Sequence, residues 1–283
     1  MSAPTIELAS VTRAREVVGD GRLVVLTGAG VSTDSGIPDY RGPDSPPRTP
    51  MTFQDFVAGT PAQQRYWARA HVGWGHMSVA QPNAGHRALA AMQRLGRVGG
   101  LVTQNVDGLH ARAGSPQVID LHGRISDVVC LECRRTTRRA ALHRRLEQLN
   151  PGYAARAAEI APDGDAVFED TSTFVLAGCE DCGGRLKPDV VFFGENVPRD
   201  RVAAAIALVD AADALLVVGS SLQVMSGLRF VRQAAKTGKP VVIVNRGKTR
   251  GDDLAALTVG AGCSEFLTAF AADPTPLPAA VLA

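Results

Sequence analysis

Short runs of apolar, mostly β-branched residues recur along this 283-residue chain, and stretches with helical spacing separate the later runs. Fully apolar runs of this length are typical of strands that are buried on both faces of a sheet. Parallel strands need crossover connections, so the alternation predicts an α/β fold with a doubly wound parallel sheet. The predicted strands are residues 23–26, 98–102, 118–121, 190–193, 215–218 and 241–244, and the predicted helices between the last three are residues 201–212 and 226–236.

Two segments interrupt this alternation and predict a second, smaller domain. Residues 43–86 begin with a proline-rich stretch and continue as a helical, aromatic segment, whereas residues 124–186 carry two Cys-x-x-Cys motifs and an arginine-rich helix. We expect these insertions to fold together as the small domain. Residues 1–42, 87–123 and 187–283 are then expected to form the domain that contains the sheet.

Composition and charge limit the partners that we expect. The 30 basic and 28 acidic residues leave a net charge of +2, which gives no reason to expect specific binding of nucleic acid. No apolar run approaches the roughly 20 residues of a membrane-spanning helix, and we expect a cytoplasmic protein without a membrane segment. The arginines of residues 134–145 are interpreted as a solvated helix face, with contact to nucleic acid or an acidic partner as the alternative.

The first predicted strand leads directly into Gly28-Ala29-Gly30, a pattern typical of loops that hold phosphate groups. Glycine lets the main chain approach a pyrophosphate, whose charge then lies at the start of the following helix. The next glycine is Gly36, so the spacing differs from that of dehydrogenases, and a tight turn without a ligand is the alternative. The polar loop that follows favours a ligand and includes Asp39, Tyr40 and Arg41.

Polar residues also follow the other predicted strands. Ligands of doubly wound sheets bind at the carboxyl ends of the strands, so these residues are expected to share one crevice with Gly28. Helix capping is the alternative for Asn105 or Asp107, and a lone histidine such as His122 is more often structural. Its place at a strand end favours a general acid or base. The residues concerned are Gln104, Asn105, Val106 and Asp107 after the second strand, His122 after the third, Gly219, Ser220 and Ser221 after the fifth, and Asn245, Arg246 and Gly247 after the sixth.

Four of the five cysteines form the two Cys-x-x-Cys motifs. Four thiolates satisfy tetrahedral Zn²⁺ and leave no position for water, which indicates a structural rather than a catalytic metal. Residues 134–178 separate the motifs, a longer spacer than in an ordinary zinc ribbon, and an iron–sulfur cluster or a redox pair is the alternative. The predicted zinc ligands are Cys130, Cys133, Cys179 and Cys182.

Taken in order, these motifs resemble those of the sirtuin family. The resemblance runs from about Gly28 to Cys263 and rests on Gly-Ala-Gly-Val-Ser, Gly-Ile-Pro-Asp-Tyr-Arg, Thr-Gln-Asn-Val-Asp-Gly-Leu-His, Leu-His-Gly, both cysteine motifs, Lys-Pro-Asp-Val-Val-Phe-Phe-Gly-Glu, Gly-Ser-Ser-Leu and Asn-Arg-Gly. The long spacer between the cysteine motifs, the turn at residues 162–165 and the aromatic stretch at residues 66–69 are most similar to the class II branch, which includes the sirtuin 4 type.

The resemblance implies an NAD-dependent protein-lysine deacylase with a Rossmann-type domain, a smaller helical and zinc-containing domain, NAD as co-substrate and one structural Zn²⁺. In this family the acyl oxygen displaces nicotinamide from NAD, and a histidine acts as general base on a ribose hydroxyl that attacks the acyl carbon. The positions implied as catalytic are His122 and Asn105. The products are free lysine and an acyl-ADP-ribose, so the expected partners are acylated-lysine proteins or peptides.

The resemblance also implies which residues contact NAD and the substrate. The pyrophosphate is assigned to Gly28, Ala29 and Gly30, and the ribose and nicotinamide side to Gln104, Asn105, Val106 and Asp107. Tyr40 and Arg41 are assigned to the mobile cofactor loop, and Asp39 beside them is also expected to bind the cofactor. The adenosine half is assigned to Gly219, Ser220, Ser221, Asn245, Arg246, Gly247 and Cys263. The peptide is expected as an added strand between residues 191–195 and 223–225, with contacts from Val191, Phe193, Gly194, Glu195 and Val224.

The acyl group is the least determined part of this assignment. Family members that remove succinyl groups carry a Tyr-x-x-Arg pair, and the matching positions here are Ala70 and Gly73. A carboxylate-reading pocket of that type is therefore not expected, with Arg65 or Arg69 as the alternative carboxylate reader. A protein ADP-ribosyltransferase that uses the same NAD site is the alternative activity.

Overall fold

The computed structural model describes residues 8–40, 50–155, 159–160, 165–167 and 170–272. Eleven strands lie within this part of the chain, and most of them are five residues long or shorter. They are β1 (Leu23–Thr27), β2 (Val98–Thr103), β3 (Val118–Asp120), β4 (Gly123–Cys130), β5 (Thr136–Arg138), β6 (Glu159–Ile160), β7 (Ala166–Val167), β8 (Leu186–Val190), β9 (Ala214–Val218), β10 (Val241–Val244) and β11 (Leu257–Val259).

Nine α-helices lie within the same residues. Within this part of the chain, none of them has both the length and the apolar character that crossing a membrane requires. The helices are α1 (Leu8–Val18), α2 (Phe53–Val57), α3 (Thr60–Val79), α4 (Ala84–Arg94), α5 (Leu109–Arg112), α6 (Arg139–Leu149), α7 (Arg199–Ala211), α8 (Met225–Lys236) and α9 (Cys263–Ala272).

Six strands form one parallel sheet in the order β11-β10-β9-β1-β2-β3. All residues of β1, β9 and β10 are buried, as their continuous apolar sequences require. Alternate residues of these strands enter two separate cores, one on each face of the sheet. Helices α1, α4 and α9 cover one face, and α7 and α8 cover the other. The predicted doubly wound α/β fold is confirmed.

The prediction for residues 190–193 was wrong, because these residues do not form a strand of the parallel sheet. The strand in this region is β8, which ends at Val190 and pairs antiparallel with β4 in a separate three-stranded sheet. The chain turns away at Gly194, whose φ of +77° lies in the left-handed region. The sixth strand of the parallel sheet is instead β11, which is three residues long and half exposed, too short for its pattern to predict.

The two inserted segments share a third hydrophobic core. Phe56 and Tyr66 of the first segment pack with Val128, Leu142 and Phe174 of the second. Such a shared core is what a small domain built from both segments requires. The exact domain boundaries stay a prediction.

The arginine-rich stretch does not form a solvated face throughout. Arg138 is exposed and pairs with Asp127 at 2.7 Å, as a solvated face would. Arg139, the first residue of α6, is only 1% exposed and is among the largest fully buried side chains. The interpretation of residues 134–145 as one solvated surface was therefore wrong at Arg139.

Candidate active site

A cavity of about 710 Å³ opens at the carboxyl ends of the parallel strands, where ligands of such sheets bind. Two predicted site residues are not among those that line it: Gly247 lies outside the lining, and Arg41 lies outside the described residues. The predicted residues that line the cavity are Gly28, Ala29, Gly30, Asp39, Tyr40, Gln104, Asn105, Val106, Asp107, His122, Val191, Phe193, Gly194, Glu195, Gly219, Ser220, Ser221, Val224, Asn245, Arg246 and Cys263.

The floor of the cavity consists of closely packed main chain. A Cβ atom on Gly28 would lie 2.7 Å from the carbonyl oxygen of Gly219, and one on Gly30 would lie 2.9 Å from the Gly219 Cα. The Gly30 amide donates to that same carbonyl oxygen at 2.9 Å. Gly219 itself has a φ of +65°, and a Cβ there would lie 2.6 Å from the Val31 nitrogen. The close contact between the loop of Gly28 and Gly30 and the loop of Gly219 therefore requires glycine at all three positions. This requirement holds whether or not a pyrophosphate binds there.

The described part of the segment after Gly28, residues 28–40, contains no α-helix. Residues 28–40 instead form two short 3₁₀ turns, Ala29–Val31 and Thr33–Ser35. The expectation that a helix begins at this loop and faces a phosphate was therefore wrong. The glycine loop still lines the cavity, and its polar side chains follow directly.

Three polar side chains from two strand ends form a network beside this loop. The Asn105 amide donates to the Gly28 carbonyl oxygen and to Ser32 Oγ, both at 3.0 Å. The Ser32 hydroxyl donates to Asp107 at 2.7 Å, and the other oxygen of Asp107 accepts from the Leu109 amide at 2.8 Å. Burial raises the pKa of Asp107, and the two donated hydrogen bonds oppose that shift. Asn105 and Asp107 are thereby fixed in one orientation against the glycine loop.

His122 lies between two hydrogen-bonding partners at the end of β3. Its Nδ1 lies 2.8 Å from the Gln104 carbonyl oxygen, and its Nε2 lies 2.8 Å from the Ser226 hydroxyl. A carbonyl oxygen only accepts, so this contact places the proton on Nδ1 and leaves the lone pair on Nε2. Burial lowers the pKa of His122, which favours the neutral imidazole that a general base requires.

Gln104 links His122 to Ser220, which follows β9. Its main-chain carbonyl holds His122, and its side-chain oxygen accepts from the Ser220 hydroxyl at 2.6 Å. A Cβ on Gly227 would lie 2.6 Å from the Gln104 amide nitrogen, so α8 packs directly against this side chain. The residues that follow β2, β3 and β9 are thus joined by polar contacts around His122.

A buried ion pair organises the segment of residues 191–195. Lys187 is 4% exposed, and its ammonium group lies 3.0 Å from a Glu195 oxygen and also donates to the Val190 carbonyl. The same carboxylate accepts from the Phe192 amide at 2.9 Å, and the Val191 amide donates to the His122 carbonyl at 2.8 Å. Burial lowers the pKa of Lys187, and the Glu195 carboxylate opposes that shift. The segment is therefore tied to the main chain next to His122.

The lining residues that follow β10 are partly or fully exposed, whereas the lining residue of α9 is buried. Asn245 donates to the carbonyl oxygens of Arg246 and Gly247, each at 3.1 Å, so its amide shapes its own turn. Arg246 is exposed, whereas Cys263 is buried at the start of α9. Burial raises the pKa of the Cys263 thiol to about 12, so this thiol stays protonated. Cys263 therefore belongs to the cavity wall and not to the cysteine cluster.

The two Cys-x-x-Cys motifs converge on one site. The four Sγ atoms of Cys130, Cys133, Cys179 and Cys182 all lie within 4.8 Å of one another. Sγ of Cys130 lies 3.6 Å from that of Cys182, and Sγ of Cys133 lies 3.7 Å from that of Cys179. Four thiolates around Zn²⁺ at about 2.3 Å must lie roughly 3.8 Å apart, so the arrangement fits a tetrahedral zinc. The predicted structural zinc site is supported by this fit.

Two side chains of the site were not among the predicted site residues. Ser32 joins Asn105 to Asp107, and its position two residues after Gly30 is a signal that could have identified it. Ser226 contacts His122 from the first turn of α8. No local pattern identifies Ser226, because the contact joins two residues that are 104 positions apart.

The sequence pattern of the Sir2 family matches residues 28–226 of the chain. This match spans the glycine loop, His122, the cysteine cluster and Ser226. The chain belongs to the Sir2 family. The predicted relationship to the sirtuins is confirmed, and the fold around the cavity is the one that the family shares.

Curated relatives in several bacteria are similar over most of their length. The "NAD-dependent protein deacetylase 1" of Mycobacterium avium (strain 104) is 58% identical over 267 residues, which cover 93% of this chain and 95% of that protein. A protein of the same description from Streptomyces coelicolor is 56% identical over 255 residues, covering 89% of this chain and 85% of the relative. This sirtuin is therefore similar to proteins described as deacetylases over nearly its whole length.

Solved structures of the Sir2 family have the same fold. The structure described as "Sir2-p53 peptide-NAD+" has a TM-score of 0.73 and 32% identity, and the comparison covers 91% of this chain and 95% of that one. A structure described as "Structure of Sir2Tm bound to a propionylated peptide" has a TM-score of 0.71, 30% identity and the same coverage. The first description names a p53 peptide and NAD+, and the second names a propionylated peptide.

Proposed function

We propose that the cavity removes acyl groups from lysine side chains while NAD is cleaved, with His122 as the general base. The predicted class of enzyme, an NAD-dependent protein deacylase, is confirmed by the family and by relatives described as NAD-dependent protein deacetylases. The residue roles are our proposal. The observation that carries them is the tautomer of His122, in which Nδ1 is held by a carbonyl oxygen and Nε2 keeps its lone pair.

The residues that line the cavity fit NAD as the co-substrate. When bound, NAD supplies the electrophilic ribose carbon and the nicotinamide leaving group. We assign its pyrophosphate to the loop of Gly28, Ala29 and Gly30, which lines the cavity. The adenosine half is assigned to Ser220, Ser221, Asn245, Arg246 and Cys263, all of which line the cavity.

Asn105 and Asp107 are assigned to the ribose and nicotinamide end. Their mutual network through Ser32 holds an amide and a carboxylate side by side, which suits hydroxyl and carboxamide groups as ligands. His122, two residues after β3, then accepts the proton of a ribose hydroxyl at Nε2. Because the proton on Nδ1 stays with the Gln104 carbonyl, the imidazole keeps its orientation during that transfer.

The acylated peptide is assigned to the segments of residues 191–195 and 223–225. Val191, Phe193, Gly194, Glu195 and Val224 line the cavity, and the buried Lys187–Glu195 pair holds the first of these segments in place. Lysine in an extended peptide could add as a strand here and direct its acyl group inward. Ala70 and Gly73 are not among the lining residues, which supports acyl chains without a second carboxylate.

The zinc is assigned a structural role, because four thiolates leave no ligand position for water or substrate. Cys130 and Cys179 belong to the core that the two inserted segments share. The metal would therefore stabilise the part of the chain that covers the cavity from the side of Tyr66 and Phe192.

Two finer assignments belong to the same proposal. The class II branch is supported by the long spacer between the cysteine motifs and by the aromatic stretch at residues 66–69. A cytoplasmic location is supported by the five cysteines, none of which forms a disulfide, as suits a reducing compartment.

The deciding experiment incubates the protein with NAD and a panel of acyl-lysine peptides, from acetyl through dicarboxylic to lipoyl and long-chain groups. Mass spectrometry would follow free nicotinamide, deacylated peptide and acyl-ADP-ribose. We expect the three products in equal amounts with one acyl class, and none without NAD. Nicotinamide release together with an acceptor that gains ADP-ribose would replace the deacylase with the alternative ADP-ribosyltransferase.

A further inference from the structure

Ser226 contacts Nε2 of His122, the nitrogen that accepts a proton in the proposed reaction. The Ser226 hydroxyl lies 2.8 Å from Nε2, and the Gln104 carbonyl lies 2.8 Å from Nδ1 at the other side of the ring. Since Nδ1 carries the proton, the hydroxyl must donate to Nε2. Both nitrogens of the imidazole are therefore occupied before any ligand binds.

The hydroxyl is held on a rigid element. Ser226 lies in the first turn of α8, whose Leu228, Phe230 and Val231 are each no more than 1% exposed in the core of the sheet. The next residue, Gly227, packs so closely on the Gln104 side chain that a Cβ would lie 2.6 Å from its amide nitrogen. One turn of α8 thus contacts both His122 and the residue that holds His122.

Two hydrogen bonds at opposite sides of the His122 imidazole restrict its orientation more than one hydrogen bond does. The carbonyl bond alone fixes the tautomer but leaves the ring able to pivot about Nδ1. A second bond at Nε2 fixes the plane of the ring and directs the lone pair toward the cavity, which Ser226 and His122 both line. A serine hydroxyl rotates about a single side-chain torsion, so it can leave Nε2 when a ribose hydroxyl takes its place.

We propose that Ser226 is a positioning residue for the general base of this sirtuin. It holds the imidazole of His122 in its reactive orientation until the ribose hydroxyl replaces it at Nε2. This inference rests on the proposed role of His122. The proposed role of Ser226 is limited to the acyl-transfer half of the reaction. The release of nicotinamide does not need the base and should not depend on Ser226.

The test compares Ser226→Ala, which removes the donor, with Ser226→Thr, which keeps a hydroxyl. Ser78→Ala is the matched control, because its hydroxyl donates to the Gly75 carbonyl on α3 and does not line the cavity. Loss of one neutral hydrogen bond corresponds to a rate change of roughly three- to tenfold. We expect Ser226→Ala to lower kcat/KM for deacylation by that factor and to leave nicotinamide exchange unchanged. Ser226→Thr and Ser78→Ala should stay within about twofold of the unaltered protein, which is less than the change expected for Ser226→Ala.

A second readout does not depend on activity. The chain has six histidines, so ¹⁵N-histidine spectra of the free protein can be assigned with a His122 variant. We expect Ser226→Ala to move the Nε2 resonance of His122, because the donor to that nitrogen is lost, whereas Ser226→Thr keeps the resonance at its original position. An unchanged His122 spectrum with unchanged deacylation in Ser226→Ala overturns the proposal. If the unaltered protein neither releases nicotinamide nor deacylates, the role of His122 fails, and the spectra still decide whether Ser226 holds the ring.

Discussion

The guanidinium carbon of Arg139 lies 4.8 Å from the centroid of the Trp67 ring. It also lies 5.4 Å from the Trp74 centroid, and the guanidinium donates to the Ala70 carbonyl oxygen at 3.0 Å. Burial lowers the pKa of Arg139 to about 10, so the side chain keeps its charge at neutral pH. The first residue of α6 thereby fastens this helix to the aromatic side of α3, across the two inserted segments.

Replacement of Arg139 should destabilise the fold far more than replacement of its neighbour. Arg139→Ala removes a desolvated cation–π contact and a buried hydrogen bond and leaves a void, which should lower the free energy of unfolding by about 2–4 kcal/mol. Arg138→Ala breaks only an exposed ion pair with Asp127, for which we expect less than about 1 kcal/mol. Urea unfolding of both variants measures the difference. Equal losses would show that the ring contacts add nothing.

His122→Ala should separate the two halves of the reaction. Loss of a general base lowers the rate by roughly 10²- to 10⁴-fold, so deacylation should nearly disappear. Exchange of labelled nicotinamide into NAD precedes the step that needs the base and should persist. His76→Ala is the control, because His76 is exposed and does not line the cavity. Near-normal turnover by His122→Ala, with an unchanged melting temperature, would rule out the assigned role.

Removal of zinc should unfold the region around the third core. We expect one zinc per chain by elemental analysis, and loss of that zinc in Cys182→Ser but not in Cys263→Ser, which lies outside the cluster. A chelator that strips the metal should change the far-UV circular dichroism and lower the melting temperature, because metal binding and folding are coupled in such sites. Unchanged spectra and melting after verified loss of zinc would contradict a structural role.

Acid should destabilise the protein through its buried histidines. Burial lowers the pKa of His86 and His143 to about 4 and that of His110 well below its ordinary value. In the unfolded chain these imidazoles titrate near a pKa of about 6.5, so between about pH 6.5 and 4 the unfolded state binds more protons. The free energy of unfolding should therefore be insensitive to these groups above pH 6.5. Below that pH it should fall by up to about 1.4 kcal/mol per pH unit for each fully buried histidine.

Urea unfolding at pH 7.5, 6.0 and 5.0 tests this expectation. His143→Gln isolates one of the groups, because its ring lies 4.4 Å from that of His71 on a half-buried face and can be replaced with little loss of packing. This variant should show a shallower dependence on pH than the unaltered protein. Parallel curves for the two proteins would mean that His143 does not become charged on unfolding in this range.

The sequence predicted those features that local chemistry determines. The strands at residues 23–26, 215–218 and 241–244 are fully apolar, and all of them are buried strands of the sheet. The cysteine cluster was predictable because two Cys-x-x-Cys motifs in one chain are typical of a metal site. His122 could be placed at the cavity because it follows a strand, and parallel strands end at one edge.

Features that depend on distant contacts were not predictable. Residues 190–193 have the composition of a strand, yet the Glu195 carboxylate takes the Phe192 amide away from any strand partner. In the sequence, nothing distinguishes Arg139 from the exposed arginines beside it. Its burial is favourable because Trp67 and Trp74 of α3 lie against its guanidinium group. The same holds for Ser226, whose partner His122 comes from another strand end.

The interlocked glycines at positions 28, 30 and 219 have a consequence for how this site could change. Because each of them is confined by main-chain atoms, side-chain replacement there would push the two loops apart. Substitution of these glycines is therefore not expected to change the floor of the cavity in small steps. Altered selectivity in a related protein is expected instead at Arg229 and Arg246, exposed side chains that line the cavity and can differ in size and charge.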